Sequence, residues 1–402
     1  MKTRIFLFSV AIFMLLCTSC SSWDLPYIEP VSTRVDSCAA SRTLGNAIWY
    51  DFPQTLVLPN NKILIIGGNT DGNAYSGEDI HLYHWDKDSF IANYVETVSA
   101  GAGLKTDVGQ TLTKISNSYA LLIGGLAADN GNATSAKTAQ IVRFNLIGYV
   151  LEPLNDELHH ARRYHTATML TDDTHILVAG GIGNNLTERL PLELITISES
   201  DILEIETLGY LPSLRNHTAT LLPNGNVLIA GGSIQTASSV VATDSAWVYI
   251  TAQKSIERLK MPQARKNHTS TLLPEIGKVL IAGGFDADGA ALNSAYLYSP
   301  NSNGFSAIAS LNYARANHTT NYLADATCQV FIVGGENESG VEIGQTEIFD
   351  TESLDFFVPE KLELASKRTT HAAVQVSDTS FLLIGGKRTE NEKAELVWSS
   401  PH

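Results

Sequence analysis

Five histidines recur in step along the chain, His165, His217, His268, His318 and His371, and each has an arginine just before it: Arg162, Arg215, Arg265, Arg315 and Arg368. Imidazole titrates near neutral pH and guanidinium grips oxyanions, so such a set brought together would suit an anion or a sugar acid, or a metal ion on the imidazoles. The recurrence itself points first elsewhere. A ligand rarely meets five copies of one motif equally, whereas a bond between neighbouring repeats, from each histidine to a backbone carbonyl, needs one copy per repeat. We therefore expect the set to be structural before it is functional. No metal is expected, because ligands from successive repeats lie too far apart to share an ion.

The elements that must position these residues are marked by a second recurrence. A short aliphatic run closed by two glycines occurs seven times, ending at Gly67-Gly68, Gly124-Gly125, Gly180-Gly181, Gly231-Gly232, Gly283-Gly284, Gly334-Gly335 and Gly385-Gly386. The first glycines are spaced 57, 56, 51, 52, 51 and 51 residues apart. Runs this short, bounded by turn residues such as Pro223-Asn224-Gly225-Asn226, are buried strands rather than helices. The paired glycines suit a sharp bend on leaving a crowded core, where a Cβ would clash. Around each run lie three more strands, exemplified by the stretches beginning at His217, Ser294 and Phe305, giving four antiparallel strands per unit. The first two units lack the histidine and read Asp51-Phe-Pro-Gln-Thr and Asp107-Val-Gly-Gln-Thr instead.

Arg-x-x-His-Thr, then Leu-Leu-Pro, then Val-Leu-Ile-Ala-Gly-Gly resembles the bacterial Kelch repeat family over residues of about 24 to 402. It departs in having residues such as Phe305 where the family has a tryptophan near the fourth strand. The resemblance implies an all-β, seven-bladed Kelch-type β-propeller. The last blade is completed from the N-terminus, with residues 27–35 lying beside the strand at Ala394–Trp398 and sharing the blade with 369–400, which protects the sheet edges. It also implies that the histidines and arginines lie on the face where the central channel opens.

The first residues have another role. Lys2 and Arg4, the apolar stretch Ile5 to Leu16 and the small residues around Cys20 read as a signal peptide, 1–19, followed by a tether at 20–23. It resembles a lipoprotein signal, with Cys20 the lipidated residue and Cys17 where leucine is usual. Ser21, not aspartate, implies by the same resemblance an outer-membrane lipoprotein of the bacterial cell envelope facing the periplasm or the surface. Cys38 and Cys328 then remain as two free thiols on opposite faces. A net charge of −15 argues against nucleic acid as a partner.

His159-His160-Ala-Arg-Arg-Tyr-His165 is the densest titratable cluster; with no acid at a useful sequence spacing it reads as a solvated loop. Asn216-His-Thr, Asn267-His-Thr and Asn317-His-Thr match a glycosylation sequon through the repeat alone. Copper oxidases of the Kelch architecture need a cysteine cross-linked to a tyrosine, for which neither Cys38 nor Cys328 is placed. No phosphate loop, nucleophile elbow or zinc-protease motif is present. The expected function is non-catalytic: a monomeric, cofactor-free disc that binds an envelope protein or glycan through loops on the channel face. The alternative is a periplasmic carbohydrate-active enzyme resembling sialic acid mutarotase.

Overall fold

The second strand of each repeat is apolar on both of its faces, and this dictates the packing. In Val227–Ala230 all four residues are buried. Side chains alternate along a strand, so Val227 and Ile229 face one neighbouring sheet while Leu228 and Ala230 face the other. A strand of this kind is stable only with a sheet stacked on each side.

The computed structural model describes residues 39–46, 52–58, 62–67, 79–86, 91–99, 108–129, 132–144, 149–154, 156–197, 203–236, 238–324, 329–360, 362–388 and 393–399. All belong to the unit 36–402. The protein is all-β, built of antiparallel sheets; the only helical element among the described residues is the 3-10 turn Thr251–Gln253. No helix there is long and apolar enough to cross a membrane.

Seven four-stranded arrays follow one another. The first sheet is Gln54–Val57, Lys62–Ile66, Asp79–Asp86 and Ile91–Ser99, and the second Gln110–Lys114, Tyr119–Gly124, Ala139–Phe144 and Tyr149–Pro153. The third is Arg163–Met169, His175–Ile182, Leu190–Ile197 and Leu203–Leu211, extended through Leu214–Arg215 to Ser233–Gln235 and Val240–Ala242. The fourth is Thr218–Leu221, Val227–Ala230, Ser245–Ile250 and Ser255–Lys260. The fifth is Thr269–Leu273, Lys278–Ala282, Ala295–Ser299 and Gly304–Ala307, and the sixth Thr319–Leu323, Gln329–Val333, Glu347–Asp350 and Asp355–Phe357. The seventh is Ala372–Ser377, Ser380–Ile384, Lys393–Ser399 and, from the other end of the chain, Ala39–Asn46.

Each hydrophobic cluster is shared by two sheets. Leu228 and Val248 of the fourth pack on Val279 and Ile281 of the fifth, and Phe331 of the sixth meets Phe381 of the seventh edge-on at 5.6 Å. Ile63, Ile65 and Tyr83 of the first pack on Leu382, Ile384 and Leu396 of the seventh. Fourth strands are more exposed, as in Ser255–Lys260.

The strand paired with Lys393–Ser399 corrects the expectation for the N-terminus. Arg42, not a residue near Ile28, lies opposite Leu396, and 27–35 falls outside the described residues. The reason is connection length. Asn46 ends eight positions before Gln54, close to the nine from Lys260 to Thr269, whereas a strand ending at residue 35 would leave nineteen. Cys20, Cys38, Gly68 and Cys328 also lie outside the described residues.

Candidate functional site

The two recurrences in the sequence are two halves of one joint between sheets. Take the fifth and sixth. Gly284 donates its N–H to the backbone carbonyl of Arg315 at 2.8 Å. A Cβ on Gly283, whose φ is +63°, would lie 2.5 Å from that carbonyl oxygen and 2.7 Å from Cε1 of His318. One glycine admits the next sheet's imidazole edge and the other receives its backbone. Gly283→Ala is therefore expected to destabilise by roughly 3 kcal/mol or more, from the left-handed backbone and the clash together. Gly289→Ala, also at positive φ but with nothing within 4 Å of its Cβ, should lose about 1 kcal/mol. Equal losses in urea unfolding would refute the joint.

The histidines extend the joint by side chain. Nε2 of His165, His217, His268, His318 and His371 lies 2.9, 3.1, 3.1, 3.0 and 2.9 Å from the hydroxyl oxygens of Thr111, Thr166, Thr218, Thr269 and Thr319 of the preceding sheet. The partner common to all five is thus a threonine hydroxyl; a backbone carbonyl of the kind expected, that of Ala179, is met by His217 as well. Among the described residues no Nδ1 of the five has a hydrogen-bond partner, which favours the tautomer with its proton on Nε2. Burial brings His217 down to about 4. Burial with the Arg315 and Arg265 charges brings His318 to about 3, and His165, His268 and His371 likewise lie well below the usual imidazole range, through burial first and the neighbouring arginine second. All five are neutral at pH 7.

Four of the five arginines are wholly buried within their own sheets. Arg315 Nη1 donates to the carbonyl of Gly334 at 2.9 Å and Nη2 to Glu347 Oε1 at 3.0 Å. Arg162 does the same with Gly180 and Glu193, and Arg368 lies 3.8 Å from Glu395. Arg265 has no carboxylate partner among the described residues; it donates to the carbonyl of Gly283 and stacks 4.9 Å from the Tyr296 ring, and burial lowers it to about 10. Arg215 does not belong to the set. Its place is taken by buried Leu214, paired with Gly181, and the Glu193 position by Trp247. The dense cluster is also tied down: His160 N and Nδ1 lie 2.9 and 2.8 Å from Glu193 Oε1, so it is no free loop. Among the described residues no group of histidine, cysteine, aspartate or glutamate could hold a metal.

These joints surround a cavity of about 350 Å³ to which all seven sheets contribute. At its wall, the residue before each histidine, or before its counterparts Pro53 and Gln110 in the first two sheets, is left-handed: Phe52, Gly109, Tyr164, Asn216, Asn267, Asn317 and Thr370, with φ of +56, +80, +56, +56, +55, +55 and +57°. That conformation aims N–H and C=O sideways. Asn267 donates to the Asn216 carbonyl at 3.1 Å, Asn317 to Asn267 at 3.0, Thr370 to Asn317 at 3.0, Phe52 to Thr370 at 2.8 and Tyr164 to Gly109 at 2.8. The amides form a second tier, from Asn216 to Asn267 to Asn317 to Glu336. Asparagine tolerates this backbone better than most residues, which is why it precedes three of the histidines. The asparagine and histidine of each triplet matching a sequon are thus cavity residues, signalled in the sequence by asparagine recurring at one position. Compared with known proteins, the chain matches no family model and no curated protein.

Proposed function

We propose that the protein is a seven-bladed Kelch-type β-propeller, anchored in a bacterial envelope through lipid on Cys20, that binds a glycan or protein partner at its central cavity without catalysing a reaction. Seven successive sheets, clusters shared by neighbours, and the packing of the seventh sheet on the first support the architecture. The function rests on the lining of the cavity. Among the described residues it carries amides, hydroxyls, neutral imidazoles and the rings of Phe52 and Tyr164, and no lysine or arginine; the Glu336 carboxylate at the end of the amide tier is occupied by the Asn317 amide. Amides and hydroxyls offer paired donors and acceptors to sugar hydroxyls or a peptide backbone, and an exposed ring offers a stacking face. An acid and a base converging on one point, which epimerisation needs, are missing from that lining. Left-handed, non-glycine residues held around a cavity are strain of the kind found at ligand sites.

Binding of the full chain to a glycan array and to purified envelope proteins tests this reading. Phe52, half exposed at the cavity wall, should be replaceable by alanine with the fold intact, and Phe52→Ala is expected to weaken binding at least about tenfold, as for an aromatic contact at an interface centre. Binding that survives this change and Asn267→Ala undiminished would place the partner elsewhere.

A further inference from the structure

The one arginine that left the buried set opens a second site. In the third sheet Arg162 is buried and Arg163 follows it; in the fourth, Leu214 takes the buried place and Arg215 stands where Arg163 does. Later repeats have Lys266, Ala316 and Thr369 at this position. Two arginines thus come side by side at one place only, against the cavity of about 170 Å³ bordered by Arg163, Arg215, Ser213, Ser233 and Leu186.

We propose that this cavity binds an oxyanion group, a carboxylate, sulfate or phosphate, between the guanidinium groups of Arg163 and Arg215.

Neither arginine has a counter-charge among the described residues. Arg163 Nη1 donates to the Ser135 hydroxyl at 2.5 Å, and among the described residues neither Arg163 nor Arg215 is in an ion pair, although Arg162, Arg315 and Arg368 each have a glutamate. Burial lowers Arg163; Tyr164 acts the other way, and the Arg215 charge adds a smaller lowering. Two like charges held together in a chain of net charge −15 are stabilised by an anion lodged between them. Guanidinium suits the task because its planar fork meets two oxygens at once. The space equals roughly five or six waters at about 30 Å³ each, enough for an oxyanion and a few attached atoms. Ser213 and Ser233 bring hydroxyls to its wall, and half-exposed Leu186 offers an apolar rim for whatever carries the charge.

The site is separate from the large cavity, so the two readings fail separately. Titration calorimetry on the full chain at fixed ionic strength would use sodium glucuronate and sodium sulfate as probes; comparing them tells a carboxylate site from a tetrahedral-anion site. Saturable binding of at least one is expected. Arg163→Gln and Arg215→Gln should each weaken it tenfold or more, and the double variant should abolish it. Lys260→Gln, removing an exposed charge on the fourth sheet, and Phe52→Ala should leave it unchanged. Arg215 is half-buried and not in the core, so its variant remains readable even if Arg163→Gln perturbs folding. No saturable binding of either probe, binding retained by the double variant, or equal weakening by Lys260→Gln would overturn the proposal.

Discussion

Acidification to about pH 5 is expected to remove most of the folding stability of this protein, well above the pH at which carboxylates titrate. Five imidazoles are neutral and buried in the fold, His217 down to about 4 and His318 to about 3, burial being the first cause in each case. In the unfolded chain they titrate near 6.5. Their folded values are depressed, so the unfolded state takes up protons first. Stability is complete above about pH 6.5 and falls as pH drops through the window toward the folded values. Each histidine loses about 1.4 kcal/mol per pH unit there, or roughly 2 kcal/mol by pH 5. Five together approach the ~5–15 kcal/mol that a domain possesses. Urea unfolding followed by circular dichroism at several pH values checks this, and His318→Gln should remove about one proton from the slope. A urea midpoint constant between about pH 7 and 5 would show that the histidines are not shielded as described.

The second large effect lies at the Arg315–Glu347 pair, both residues fully buried. Besides Arg315, Glu347 accepts from the backbone N–H of Asn312 and of Tyr313. Arg315→Leu leaves that carboxylate buried without its cation and is expected to cost about 3–5 kcal/mol. The fourth sheet shows how the position tolerates neutrality: Leu214 and Trp247 fill the equivalent places. The double variant Arg315→Leu, Glu347→Trp should therefore lose about 2 kcal/mol less than the sum of the two single changes, although the N–H groups of Asn312 and Tyr313 still lose their acceptor. Additivity in a double-mutant cycle would mean that the ion pair is not what holds the site.

What could be read beforehand depended on how strongly packing constrains each strand. The diglycine runs were legible because a strand covered on both faces must be apolar throughout, and a glycine meeting an imidazole cannot change; Gly231, Gly283 and Gly334 show the same contact. The histidines were legible as a recurrence and as links between repeats, but their threonine partners were not, since nothing in the sequence says which polar atom of the next sheet lies within reach. Arg215 was grouped with the buried arginines because it too precedes a histidine. Counting would have separated it, for it stands two positions before His217 and the others three. The strand Ala39–Asn46 was missed for a different reason. An outer strand needs little apolar alternation, and Ala-Ala-Ser-Arg-Thr-Leu-Gly-Asn carries almost none.

The threonine–histidine links run from the second sheet to the seventh and stop there: Pro53 stands beside Gln54 where a histidine would begin the first sheet, and Ala372 follows His371 where a threonine would reach toward it. Among the described residues, the contacts on either side of the first sheet are apolar packing, the bond from the Phe52 N–H to the Thr370 carbonyl, and one from the Leu112 N–H to Gln54 Oε1. This makes the first sheet the seam of the molecule. Hydrogen exchange is expected to be fastest in the first sheet, and equal protection in all seven would show that the threonine–histidine links do not set the order of opening.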